Sequence, residues 1–256
     1  MQLDQGSVAV VTGAGSGLGA ATASRLVAAG ATVLLADMDD ERGKQTAEAL
    51  GDRARFVHCD VTSPDDAEAT AAAAAELGAV RVLVNCAGIN LPARVLGKSG
   101  PSDLDRFTKV VTVNLIGTFN MIRTVSYRMS STEPVTPSGE RGVIVNTASV
   151  AAFEGQVGQA SYSASKGGVV GMTLPIAREL ASFGVRVMTI APGVFETPMV
   201  AALPEDTKRS LGESVPFPSR LGTADEYARL VMSILDNEML NGEVIRLDGA
   251  IRMPPR

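Results

Sequence analysis

Tyr162-Ser-Ala-Ser-Lys166 sets a phenol and an ammonium one helical turn apart. At its ordinary pKa near 10 a phenol is only about one part in a thousand ionised at neutral pH. A neighbouring ammonium favours the phenolate and can lower that pKa by roughly 1–3 units. Such a pair could take a proton from a bound group or return one to it. By itself the spacing fits a solvated helix face equally well, so its surroundings must decide.

A second cluster, Thr12-Gly-Ala-Gly-Ser-Gly-Leu-Gly19, has the pattern Gly13-x-x-x-Gly17-x-Gly19. Between an apolar strand and a helix, such glycines allow a tight turn. They also let backbone N–H groups approach a pyrophosphate at the positive end of the helix. Asp37, at the end of the next apolar run, is placed to accept both ribose hydroxyls of NAD and to repel the 2′-phosphate of NADP. It is otherwise a solvated strand-end acid, as Asp39 and Asp40 would be. Arg25, mid-helix, is the sole basic residue between Gly13 and Asp40, so the reading is NAD. Ser149 follows another apolar run and could hold a carbonyl oxygen or cap a turn. Asn114 falls inside a helical pattern that it does not favour, which suggests a local polar role.

The elements that must position these residues alternate. Apolar runs at 7–12, 32–37, 54–60, 81–85, 142–147, 185–191 and 243–247 read as strands buried on both faces. Helical patterns lie between them at 18–29, 40–50, 64–77, 104–129, 161–183 and 224–235. That order predicts an α/β fold: a single Rossmann domain over residues 1–256, with a doubly wound, parallel, seven-stranded sheet flanked by helices. Residues 130–141 read as a surface loop, and Pro175 as a bend or an accommodated proline inside a helix. Residues 194–220 are rich in proline and carry Val194, Phe195, Met199, Leu203, Leu211, Val215 and Phe217. So long a break in the alternation is expected to be a lid over an apolar substrate; the same side chains could instead pin the loop to the core.

Composition narrows the classes of function. A net charge of −5 without a basic run argues against nucleic acid. No apolar run approaches the roughly 18 residues needed to span a bilayer, and residues 1–6 are too short and polar for a signal peptide. One histidine, His58, and two cysteines, Cys59 and Cys86, without a C-x-x-C pair predict no metal site. The thiols are expected to be reduced core residues of a cytoplasmic protein.

Together, Thr12–Gly19, Asp60-Val61, Asn85-Cys-Ala-Gly88, Asn114, Ser149, Tyr162-x-x-x-Lys166 and Pro192-Gly193 resemble the short-chain dehydrogenase/reductase family over nearly the whole chain. Cys86 departs from it where many members carry a second Asn. The resemblance implies that Tyr162 is the general acid/base, that Ser149 holds the reacting oxygen, and that Lys166 serves both Tyr162 and the nicotinamide ribose. It implies that Asn114 holds a water linking Lys166 to solvent. Cofactor contacts fall to Gly13, Ser16, Gly17, Leu18, Gly19, Asp37, Asn85, Ala87 and Gly88, with Asp60 and Val61 at the adenine. Pro192, Gly193 and Thr197 fall at the nicotinamide.

Residues 146–159, 171–178, 215–222 and 241–253 further resemble a subgroup, the type II 3-hydroxyacyl-CoA dehydrogenases, also described as 17β-hydroxysteroid dehydrogenases of type 10. This implies NAD, 3-hydroxyacyl-CoA or hydroxysteroid substrates, and a homotetramer. The expected substrate contacts are Ser149, Tyr162, Phe195 and Gln156, the last equally a surface residue. Arg94, Lys98, Lys208 and Arg209 are candidates for CoA phosphates. Two other readings stay open: an NADPH-dependent 3-oxoacyl carrier-protein reductase, which Asp37 opposes, and an NAD-binding regulator without turnover.

Overall fold

The run Ser7–Thr12 shows why the strands lack alternation. It forms β1, all six residues of which are buried. Val8 and Val10 join one apolar cluster while Ala9 and Val11 join another on the opposite face. The structure is a computed structural model that describes residues 1–98, 100–197, 200 and 204–255. The other strands are β2 (Thr32–Asp37), β3 (Ala54–His58), β4 (Ala79–Asn85), a short exposed hairpin β5 (Leu96–Gly97) and β6 (Gly100–Pro101), β7 (Gly142–Thr147), β8 (Val185–Pro192) and β9 (Val244–Leu247). Seven of them form one parallel sheet in the order β3-β2-β1-β4-β7-β8-β9, as the alternation predicts.

Helices α1 (Gly17–Ala28), α2 (Asp40–Leu50), α3 (Pro64–Leu77), α4 (Leu104–Val111), α5 (Thr118–Ser130), α6 (Ala160–Leu180), α7 (Glu205–Glu213) and α8 (Ala224–Asp236) complete the described elements. α1 and α8 pack together on one face of the sheet, and α3 with α5 and α4 with α6 on the other. Pro175 lies inside α6 without ending it.

The expected continuous helix over 104–129 is interrupted. Thr112–Gly117 is a π-helical turn between α4 and α5, with Asn114 fully buried inside it. π turns insert a residue into a helix and are frequent at functional sites. Strand order reverses between β1 and β4, so a crevice opens at their carboxyl ends, where sheets of this kind bind ligands. Register brings Thr12 beside Asn85 and Asn85 beside Asn146 along that edge.

Candidate active site

A cleft of about 480 Å³ opens along this edge. Its wall includes Gly13, Ser16, Gly17, Leu18 and Gly19 from the first turn, Asp37 from β2, and Val61, Ala87, Gly88, Ser149, Tyr162, Lys166, Pro192, Gly193, Phe195 and Thr197. Residues as far apart in sequence as Gly13 and Thr197 therefore share one cavity, because every parallel strand delivers its carboxyl end to the same edge.

The first turn is shaped by exclusion. Gly13 has φ +63°, and a Cβ there would lie 2.8 Å from the Ala87 nitrogen; one on Gly19 would collide with the Gly13 carbonyl oxygen. α2, α3, α4 and α8 each begin with a side chain accepting a backbone N–H, from Asp39, Ser63, Asp103 and Thr223. At α1, Ser16 makes no such bond. The N-terminus that faces the cleft thus lacks a protein side-chain partner, the arrangement that suits an anion. Asp37 borders it, with Oδ2 accepting from Gly15 N at 2.8 Å and Oδ1 from Asp39 N at 2.9 Å. Each carboxylate oxygen keeps a lone pair for a further donor.

At the other end Lys166 is buried and donates from Nζ to the Thr147 carbonyl oxygen at 2.7 Å. Burial lowers its pKa to about 8. Nζ lies 5.8 Å from the centre of the Tyr162 ring. The depressed phenol pKa expected from the Tyr/Lys spacing is not what this site has. Burial raises Tyr162 above its ordinary value, and the Ser149 hydroxyl works against that rise. Ser149 Oγ also accepts from Ala151 N at 3.2 Å, capping a short 3-10 turn.

Asn114 is placed beside Lys166: a Cβ on Gly88 would lie 3.2 Å from Asn114 Oδ1 and 3.5 Å from Lys166 Nζ. Its Nδ2 donates to the Ile89 carbonyl oxygen at 2.9 Å and to Ser165 Oγ at 3.0 Å, and Oδ1 accepts from Ile89 N at 2.8 Å. Both side-chain donors are used on protein, so a water would have to donate to the second lone pair of Oδ1 or to the backbone carbonyl, which accepts from Thr118 Oγ1.

Not every expected residue reaches the wall. Asp60 accepts from the Thr62 backbone and hydroxyl through Oδ1, while Asn85 donates to Asn146 Oδ1 at 2.9 Å. Gln156, which is not part of the wall, donates from Nε2 to the Pro254 carbonyl oxygen at 3.1 Å. Phe195 is buried and lines both the cleft and a side cavity of about 100 Å³, whereas Phe217 is 84% exposed. Met199 and Leu203 lie outside the described residues. His58 is exposed and paired with Asp40 at 2.7 Å. Cys59 and Cys86 are free. Sequence reasoning missed Cys86, Thr147, Ile89 and Val200 as wall residues, and Thr12, whose Oγ1 accepts from Cys86 N and Ala87 N at 3.2 and 3.1 Å. Thr12 opens the glycine motif and could have been found there.

The profile of the family described as short chain dehydrogenase matches residues 7–208. The chain belongs to the short-chain dehydrogenases. It is an oxidoreductase of that family, whose members use a nicotinamide cofactor. The 3-hydroxyacyl-CoA dehydrogenase type-2 of Bos taurus is 57% identical over 254 residues, which is 98% of this chain and 97% of that protein. The Homo sapiens protein of the same name matches at 57% with the same coverage. The crystal structure of 3-hydroxyacyl-CoA dehydrogenase type-2 from Mycobacterium avium superposes with a TM-score of 0.94 at 44% identity, over 98% of each chain. Among the described residues of this dehydrogenase no helix is long and apolar enough to cross a membrane, and no group of three or more His, Cys, Asp or Glu could hold a metal ion.

Proposed function

We propose that the protein is an NAD-dependent dehydrogenase interconverting (S)-3-hydroxyacyl-CoA and 3-oxoacyl-CoA, with hydroxysteroids as looser substrates. The observation that carries this reading is one cleft holding the uncapped α1 N-terminus and Asp37 at one end and Ser149, Tyr162 and Lys166 at the other. The activity for which relatives at 57% identity are named supports the acyl-CoA substrate.

In this reading the Gly13–Gly19 turn holds the pyrophosphate, Asp37 the adenosine ribose, Val61 one side of the adenine, and Thr197 the carboxamide. A bound nicotinamide ring supplies the carbon that accepts or gives hydride. Ser149 donates to the substrate oxygen, Tyr162 gives or takes the proton there, and Lys166 stands behind Tyr162 with its charge. Burial raises the phenol, so the Lys166 charge and the Ser149 hydroxyl are what this chain sets against that rise. Asn114 fixes Ile89 and Ser165 around Lys166. Phe195 shields the reacting end from water. For the CoA phosphates, Lys208 and Arg209 already bond to Glu205 and Asp206, while Arg94 and Lys98 are exposed.

We take the enzyme to be a cytoplasmic homotetramer, supported by its free thiols and by the exposed apolar side chains Leu104, Phe107, Ile116, Phe119 and Tyr127 along α4, the π turn and α5.

The test is NADH oxidation with acetoacetyl-CoA, run beside NADPH and beside Tyr162→Phe. The expected result is NADH-selective turnover whose kcat falls at least about 100-fold in the variant. Equal rates with NADPH would point to a carrier-protein reductase, and bound NADH without turnover would move the substrate to another secondary alcohol.

A further inference from the structure

Tyr227 enters no motif and lies on α8, across the sheet from α6. It is fully buried, and its hydroxyl lies 2.7 Å from Thr147 Oγ1. The direction of that bond is fixed by a third atom. Thr147 Oγ1 is also 2.6 Å from the Asn85 carbonyl oxygen, which can only accept. Thr147 has one proton and gives it to Asn85, so Tyr227 must donate to Thr147. The Tyr227 oxygen is then left to accept; Cys86 Sγ, whose one proton is free, lies 3.8 Å from it and 3.7 Å from Thr147 Oγ1, and closes the cluster as its donor. Each proton of the chain Cys86, Tyr227, Thr147 is used once, ending on the Asn85 carbonyl.

The same threonine turns a second group toward the opposite helix layer. Its backbone oxygen receives Lys166 Nζ, the one protein hydrogen bond that Lys166 Nζ makes among the described residues. One peptide at the end of β7 is therefore gripped by α8 through its side chain and grips α6 through its carbonyl.

We propose that Tyr227 is a positioning residue of this enzyme: through Thr147 it sets the carbonyl that holds Lys166, and Cys86 completes the chain as the donor to Tyr227. The inference rests on Lys166 belonging to the proton-transfer site. Two locked hydrogen bonds fix χ1 of Thr147, a β-branched residue with few rotamers, and hence the strand end that carries its carbonyl. The Cys departure from the family pattern thereby acquires a partner.

The titratable groups around Lys166 are Tyr162 on its own helix, Cys86 at the end of β4, and Tyr227 behind Thr147; among the described residues no carboxylate pairs with it. Burial pushes the Cys86 thiol and the Tyr227 phenol up, so both keep their protons as donors. A well-aimed carbonyl favours charged Lys166, while burial opposes it.

The experiment compares Tyr227→Phe, Thr147→Val and their double variant by two readouts. One is the pH profile of kcat with NADH and acetoacetyl-CoA. The other is a ¹³C titration of the lysine ε-carbons without substrate. Each single variant should lower kcat about three- to tenfold, the worth of one hydrogen bond, with KM for the acyl substrate within about twofold. The Lys166 midpoint should move below about 8, and the double variant should lose no more than the worse single one. An unmoved midpoint in Tyr227→Phe, with only a lower Tm, would make Tyr227 a packing residue and overturn the proposal, as would losses that multiply in the double variant. Should Tyr227→Phe not fold, Thr147→Ser must keep the midpoint that Thr147→Val shifts; identical behaviour of the two sinks the idea. A midpoint that moves in a protein that never turns over acetoacetyl-CoA would retain the positioning role and reject the substrate alone.

Discussion

At the nucleotide end of the cleft, backbone meets backbone: Gly13 against Ala87, and Gly19 against Gly13, with no room for a Cβ. At the far end, after β8, the wall is made of side chains on a long excursion. It is pinned at its ends by a parallel bridge between Phe195 and Gly222 and carries Phe217 out into solvent. The first end has its shape before any ligand binds. Among the described residues the second is held where Phe195 and Val215 are buried and where Phe217 N and Arg220 bond to Gly249 and Glu226, while the Phe217 ring stays exposed. A fixed end suits the part of a reaction that never varies, and a loosely held end suits a substrate whose length does.

The widest separation between the two ends should come from Gly19→Ala. Its Cβ must displace the Gly13 carbonyl, and overpacking of this kind costs roughly 1–3 kcal/mol. NADH affinity should fall at least about tenfold, read by fluorescence titration. Unchanged binding would show that the turn is softer than its contacts imply. Asp37→Ala comes next. It removes the acceptor proposed for the ribose and the bond to Gly15, and the ratio of kcat/KM for NADH over NADPH should drop about tenfold. A constant ratio would free Asp37 from any part in cofactor choice. Phe217→Ala should do least: a Tm shift worth under about 0.5 kcal/mol, since the ring is exposed, with KM rising a few-fold for long acyl chains only. A large Tm loss, or equal KM changes at all lengths, would mean that the ring is not a lid.

The contrast also explains what could be read beforehand. β1, β2 and β7 begin and end where the apolar runs do, and the glycine turn is written in seven consecutive positions, because sterics at that corner are local. β4 starts at Ala79 rather than at residue 81, where Gly78 N-terminal to it passes close to Gly6. The π turn was not legible, since Thr-Val-Asn-Leu-Ile-Gly satisfies a helical pattern of either pitch. Tyr227 was invisible for another reason: its partner Thr147 is 80 positions away and only the closed sheet joins them. The bond from the Gln156 amide to the C-terminal tail was likewise not legible, since Pro254 is 98 positions away.

The π turn at Thr112–Gly117 also has a consequence for how this helix could change over time. An α-helix advances about 100° per residue, and a π turn takes up one extra residue without passing that rotation on, so deleting one residue there would restore an ordinary pitch with the phase of α5 kept. Met121, Ile122, Val125 and Met129 of α5 would still face the core, whereas Asn114, inside the turn, would lose its setting against Ile89 and Ser165. The polar clamp and the packing below it are therefore separable at this point. A one-residue change in length can remove the first and spare the second.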